Sequence, residues 1–120
     1  MDHSLSLDGA TNAVQLTVHT EVDADRFTEL IAKSATMLGR ESSKKLLVVH
    51  ATGLPSATFM ESYNYASSMP HLLPKGTRVA NICPEDSLEE AKFLDTVAMN
   101  RGLTMQSFDS AEDARDWLSA

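Results

Sequence analysis

Hydrophobic and polar positions repeat with two different periods along the chain, and each change of period predicts a new element. Residues 4–8 and 13–22 alternate apolar and polar positions on either side of the turn sequence Gly-Ala-Thr-Asn. Such alternation is typical of an antiparallel hairpin with one buried face. In residues 27–38 the apolar positions recur every three to four residues, which predicts a helix with one buried stripe.

A run of four apolar residues, Leu46 to Val49, then follows without alternation. A strand that is apolar on both sides needs cover on both faces, so this run predicts the central strand of a sheet. A loop rich in Gly, Pro, Ser and Thr leads from it into a helix predicted over residues 56–69. In that helix Phe59, Tyr63 and Ala66 are expected to face the core, and Pro70 is expected to end it.

From Thr77 to Leu118 the pattern reads strand, helix, strand, helix, with a boundary signal at each change. Gly102 is expected to close the first of these helices. Ser87 followed by Glu90 has the spacing of a capping box, and Ser110 followed by Asp113 resembles one. The order β-β-α-β-α-β-α-β-α predicts a single α/β domain over residues 1–120, a sheet covered by helices.

Composition and charge narrow the class of protein. The chain has 120 residues, of which 42% are apolar and 22% charged, as in ordinary globular proteins. One cysteine excludes an internal disulfide and favours the cytoplasm. The polar first residues do not resemble a signal peptide, and no segment approaches the ~20 apolar residues of an integral membrane span. A net charge of −7 disfavours nucleic acid and suits a protein partner with a basic face, although acidity also serves solubility.

Two hydroxyl side chains stand where the loop after the central strand meets the next helix. Ser56 and Thr58 lie at or just before the predicted helix start, where a hydroxyl oxygen accepts a hydrogen bond from a free backbone N–H. The positive end of the helix dipole would also stabilise a phosphate there. The two residues are therefore either helix caps or sites of phosphorylation.

Catalytic and metal chemistry find little support in the sequence. His50 and Cys83 end two strands and would form a nucleophile pair only if those strands were neighbours. An enzyme built on this pair is one functional hypothesis. The histidines are scattered, so no metal site is expected, and no glycine-rich phosphate loop indicates a nucleotide cofactor. We therefore predict a protein that is not an enzyme and has no cofactor.

The second predicted helix is more apolar than one buried stripe requires. Phe59, Met60 and Tyr63 are either plain core residues, part of a self-association face that would form a homodimer, or one wall of a pocket for a small apolar ligand. A carrier or sensor of a lipid-like ligand is therefore the alternative function.

Three segments together resemble the bacterial STAS-like family, a STAS/Sec14-type group related to the sporulation anti-sigma-factor antagonist. They are LLVVHATG with the Ser/Thr-containing helix after it, LLPKGTRVANICPED, and FLDTVAMNRGLTMQSFDSAEDARDWL. The resemblance implies a mixed four- or five-stranded sheet with an antiparallel first strand, helices mainly on one face, and regulation through protein–protein binding. In the antagonists, the serine at the start of this helix is phosphorylated and lies in the motif Asp-Ser-Ser-Gly. This chain has Ser56-Ala57-Thr58-Phe59 there. The aspartate that ends the preceding strand in that family is replaced here by His50.

The preferred hypothesis is a small non-enzymatic regulatory or scaffolding domain that binds a protein partner. Its binding surface is expected on the loop after the central strand and the adjoining helix. The residues assigned to that surface are Thr52, Gly53, Ser56, Thr58 and Met60.

Overall fold

A computed structural model describes residues 2–120 as a five-stranded sheet with four α-helices. The strands are β1 (His3–Asp8), β2 (Ala13–Val18), β3 (Lys45–His50), β4 (Arg78–Ile82) and β5 (Thr104–Phe108). The helices are α1 (Ala24–Arg40), α2 (Phe59–Leu72), α3 (Leu88–Met99) and α4 (Ala111–Ser119). A short 3-10 turn, Glu85–Ser87, precedes α3. The predicted α/β fold class is confirmed, and the element order agrees with the predicted one.

The strands lie in the sheet in their sequence order, β1-β2-β3-β4-β5. The β1–β2 hairpin is antiparallel, and each later strand joins its neighbour in parallel. The predicted central position of Leu46 to Val49 is confirmed, because β3 is the middle strand and Leu46, Leu47 and Val48 are fully buried.

Helices cover both faces of the sheet, but unequally. Leu46 and Val48 of β3 belong to the larger apolar cluster, into which α1, α2 and α3 pack. Leu47 points to the other face and packs with Ala114 and Leu118 of α4. Three of the four helices therefore share one face, which agrees with the expectation that the helices lie mainly on one side.

The predicted bounds of α2 are wrong at both ends. The helix begins at Phe59 because Thr58 caps it: Thr58 Oγ1 accepts from the Glu61 N–H at 3.2 Å, and a Glu61 carboxylate oxygen accepts from the Thr58 N–H at 2.8 Å. Pro70 lies inside α2, which continues to Leu72. A proline in the last turn removes a single hydrogen bond, so the helix tolerates it there.

The inward face of α2 also differs from the predicted one. Phe59 is 66% exposed, so its predicted burial is wrong, and Tyr63 is only half-buried. The side chains that do face inward are Ser62, Tyr65, Ala66 and Met69. Tyr65 decides this orientation, since its ring packs edge-on against Phe27 of α1 at 5.1 Å between centroids.

Helix ends follow the predictions at two places and depart from them at one other. Gly102 closes α3 with φ 99°, and Ser110 Oγ accepts from the Asp113 N–H at 3.3 Å, as expected. Ser87 does not cap α3, because the 3-10 turn before the helix gives it a helical backbone. At the end of α1 the left-handed residue is Ser42, with φ 52°, and Gly39 lies inside the helix.

Candidate functional site

The loop after the central strand, residues 51–58, lies at the carboxyl edge of the sheet and is tied to the end of β2. The Ala51 N–H donates to the Val18 carbonyl oxygen at 3.1 Å, and the Ser56 N–H donates to the Val22 carbonyl oxygen at 2.7 Å. These bonds satisfy backbone groups that a free loop would leave to water. The side chains of the loop therefore project from a fixed backbone.

Gly53 brings this loop against the turn that precedes α3. Its φ of 121° lies in a region that side chains disfavour, and a Cβ at this position would touch Ser87 Oγ at 3.6 Å. The loops after β3 and β4 are thus neighbours, as adjacent parallel strands require. This edge of a sheet is where ligands and partners of open α/β folds gather.

The residues predicted to bind a partner lie along this loop and the first turn of α2, a segment that we call the rim. Thr52, Ser56, Thr58 and Met60 are exposed, and Gly53 is half-buried. The Thr58 hydroxyl serves the helix cap, while the Ser56 hydroxyl forms no hydrogen bond within residues 2–120. Their assignment to partner binding stays a prediction.

An open groove flanks this rim, and no pattern in the sequence predicted it. Phe59 of α2 and Phe93 of α3, which are 66% and 45% exposed, place their ring centroids 5.7 Å apart at 32° between planes. Asp86, Glu89 and Glu90 complete the lining of a cavity of about 480 Å³. We call these five residues the aromatic groove. The buried face of α3 contains Leu94, which leaves the neighbouring Phe93 at the surface.

Below the rim, four buried polar side chains form a continuous chain across three strands and α3. His50 Nε2 lies 3.4 Å from Asn81 Oδ1, and Asn81 Nδ2 donates to Ser107 Oγ at 3.4 Å. The Ser107 hydroxyl donates to Asp95 Oδ1 at 2.8 Å. We call these residues the buried polar chain. Only His50 was singled out from the sequence, yet Asn81 and Ser107 are polar residues at buried, paired positions of β4 and β5.

Burial shifts the pKa values at both ends of the buried polar chain. Loss of hydration lowers the pKa of His50 from 6.5 to about 4, an effect that the contact with Asn81 only partly opposes. Loss of hydration likewise raises the pKa of Asp95, against the hydrogen bond from Ser107. The Nδ1 atom of His50 is buried without a hydrogen-bond partner. The imidazole is therefore neutral at pH 7, which suits an apolar setting beside the Phe27 ring.

An enzyme built on His50 and Cys83 would need an activated thiol, and the surroundings of Cys83 do not activate it. Cys83 is buried, and burial together with the carboxylates of Asp95, Asp109 and Asp86 raises the pKa of its thiol to about 11. The reactive form of a cysteine is the thiolate, and a neutral imidazole does not stabilise it. The surroundings of Cys83 are those of a structural side chain.

We expect Cys83 to resist alkylation in the folded protein. At pH 7 the thiolate is scarce and the sulfur is covered, so iodoacetamide should modify native protein about 100-fold more slowly than urea-unfolded protein. Intact-mass spectrometry at timed intervals measures both rates on the same thiol. Equal rates in the two states would show that Cys83 is accessible and would revive the nucleophile hypothesis.

The residues proposed for an apolar ligand have different surroundings. Phe59 lines the aromatic groove and Met60 is 60% exposed. Tyr63 lies outside that groove, and its hydroxyl accepts a hydrogen bond from Arg101 Nη2 at 3.0 Å. This contact with a guanidinium lowers the pKa of the Tyr63 phenol. An apolar ligand at these three residues would have to displace a polar contact.

Within residues 2–120, histidine, cysteine and carboxylate side chains do not gather in groups of three or more that could hold a metal ion. Over the same residues, none of the helices has the length and apolar character needed to cross a bilayer.

Comparison with known proteins identified no relative of this chain. No family model, no curated protein and no solved structure matches it.

Proposed function

We propose that this protein is a small non-enzymatic regulatory or scaffolding domain that binds a protein partner. The binding surface is the loop 51–58 together with the first turn of α2. One observation carries the proposal: Phe59 and Met60, neighbours at the start of α2, are 66% and 60% exposed. Large apolar side chains that stay in water side by side are typical of interaction surfaces.

Rigidity of the rim supports this proposal. The capping box of Thr58 and Glu61 fixes the start of α2, and the bond from Ser56 N to Val22 O fixes the loop before it. A surface that is ordered before binding loses less conformational entropy when a partner docks. Met60 adds a flexible apolar side chain that adapts to the shape of a partner.

The fold is consistent with the STAS-like resemblance and supports a place for the chain in that group. The mixed sheet has five strands, an antiparallel first strand and three helices on one face, which is the architecture that the resemblance implies. Within this proposal Ser56 is the better candidate for phosphorylation. Its hydroxyl is free, whereas that of Thr58 is engaged in the cap beside the Glu61 carboxylate. The single buried cysteine suits a cytoplasmic protein.

Site-specific photo-crosslinking in cells tests the docking surface. A photoreactive phenylalanine in place of Met60 should yield one discrete protein adduct. The same group in place of Thr104, which is exposed at the amino edge of the sheet, should not. Ser56→Glu should reduce the yield at position 60 by about 10-fold, since a charge buried in a contact costs on the order of 1.4 kcal/mol.

Ser56→Gln is the matched control, because it adds similar volume without charge and should keep most of the yield. Adducts of equal intensity at positions 60 and 104 would contradict a specific surface. Capture that is unchanged in Ser56→Glu would show that the partner docks elsewhere than on the loop.

A further inference from the structure

We propose that the aromatic groove recognises an arginine-containing segment of a protein partner. This inference rests on the proposed function and names the chemistry of the partner. Phe59 and Phe93 are large exposed aromatic residues, and three carboxylates, from Asp86, Glu89 and Glu90, line the same groove. A cation is the group that both features attract.

Within residues 2–120, no basic side chain pairs with the carboxylates of the groove, and no lysine or arginine lines the cavity. Glu89 and Glu90 complement the positive end of the α3 dipole, which accounts for their place in the sequence. This interaction with the helix dipole does not account for the exposed rings of Phe59 and Phe93. The net charge of −7 adds a field that draws a basic partner toward this surface.

The shape of the groove favours a guanidinium over an ammonium. The two rings lie 5.7 Å apart, are tilted by 32° and remain exposed, so a planar group can stack against them. Glu89 and Glu90 precede Phe93 by four and three residues on α3, so their carboxylates lie on the same side of the helix as its ring. A stacked guanidinium can donate to those carboxylates through several N–H groups, whereas an ammonium acts as a single point charge.

A second copy of this chain is a poorer occupant. In a two-fold dimer the same patch meets itself, so Asp86, Glu89 and Glu90 would face their own counterparts. Like charges brought together at an interface oppose association. The groove therefore fits a partner of opposite charge better than its own copy.

A peptide titration tests this inference without knowledge of the natural partner. The probe is acetyl-Ala-Arg-Leu-Arg-Ala-amide, followed by nitrogen–proton NMR shifts of the full chain. We expect shifts confined to Phe59 and residues 86–93, with a dissociation constant of about 1 mM. A peptide with lysine in place of both arginines should bind about 3-fold more weakly, and one with glutamine in place of both should bind about 10-fold more weakly. Salt raised from about 50 to about 500 mM should weaken binding further.

Two sets of variants separate ring and charge contributions. Phe93→Ala removes one aromatic face, and Phe93→Leu keeps most of the apolar volume without the face. Both substitutions should weaken the binding of the arginine peptide by about 5-fold. Glu89→Gln combined with Glu90→Gln should weaken it by about 10-fold. Glu41→Gln combined with Glu112→Gln removes the same charge from exposed positions outside the groove and should leave the affinity within about 2-fold.

Equal affinity for the arginine and glutamine peptides would overturn the inference. So would shifts away from the groove, or a concentration-dependent dimer in analytical ultracentrifugation that Phe93→Ala abolishes. If residue 60 cross-links a partner whose capture survives the Glu89 and Glu90 substitutions, the proposed function stands and the cationic chemistry is wrong. If the arginine peptide binds the groove but residue 60 captures nothing, the chemistry stands and the proposed function fails.

Discussion

Replacing either Leu46 or Leu47 with alanine is expected to lower the free energy of unfolding by about 3 kcal/mol. The two residues are neighbours on β3, point to opposite faces of the sheet and are both fully buried. Each substitution removes buried apolar surface and leaves a cavity that the surrounding side chains fill only in part. Since domains of this size are stable by ~5–15 kcal/mol, either change is a large fraction of the total.

Urea denaturation, followed by circular dichroism, measures both variants. Leu7→Ala is the matched control, because it is the same chemical change at a residue that is 42% exposed, and it should cost less than about 1 kcal/mol. A strand covered on one face only would give one large loss and one small loss. That result would contradict the central position of β3 between two helical layers.

The strands and the order of elements along the chain were predictable because their signals are local. The unbroken apolar run in β3 and the alternation in the β1–β2 hairpin can each be read from a few neighbouring residues. The rotation of α2 was not predictable in the same way. Its first half carries Phe59, Met60, Tyr63 and Tyr65, so more than one apolar stripe fits the helical period. Contact with Phe27 of α1 selects the stripe that contains Tyr65.

The candidate site was predictable only where one segment forms it. Residues 52–60 follow the central strand directly, so the rule that strand ends carry sites was enough to locate them. The aromatic groove joins Phe59 of α2 to Phe93 of α3, and each ring alone has the signature of a core residue. The buried polar chain depends on the register that sets Asn81 beside Ser107. Register between distant strands is a property of the folded chain, which the sequence pattern alone does not specify.

The second prediction with a large effect concerns the buried polar chain: we expect the protein to lose stability on mild acidification. The pKa of His50 is 6.5 in the unfolded chain and about 4 in the folded protein, so the unfolded state takes up the proton first as the pH falls. The contribution of His50 to the free energy of unfolding is therefore complete above pH 6.5 and decreases as the pH falls toward 4. Below that value this group causes no further loss. A shift of this size corresponds to about 3 kcal/mol.

Other buried or paired acids act outside this window or in the opposite direction. Contacts with Arg26 and Thr11 lower the pKa values of Asp2 and Asp8, so these groups reduce stability only below their ordinary value of 3.8. The pKa of Asp95 is raised, so its contribution to stability is largest below 3.8 and is lost as the pH rises. On acidification Asp95 therefore offsets part of the loss that His50 causes, and a variant must isolate His50.

His50→Gln removes the titrating group and retains a side chain that can donate to Asn81 Oδ1. We expect urea midpoints of this variant to change little between about pH 7 and pH 4.5, while those of the unsubstituted protein fall steadily. The fluorescence of Trp117, the single tryptophan, reports unfolding because its ring is half-buried against Arg78 at 4.4 Å. His71→Gln removes an exposed imidazole and should preserve the steep pH dependence. Parallel curves for the His50 variant and the unsubstituted protein would show that the imidazole is hydrated in the folded state. The buried polar chain would then be open to water at the same edge of the sheet as the proposed docking surface.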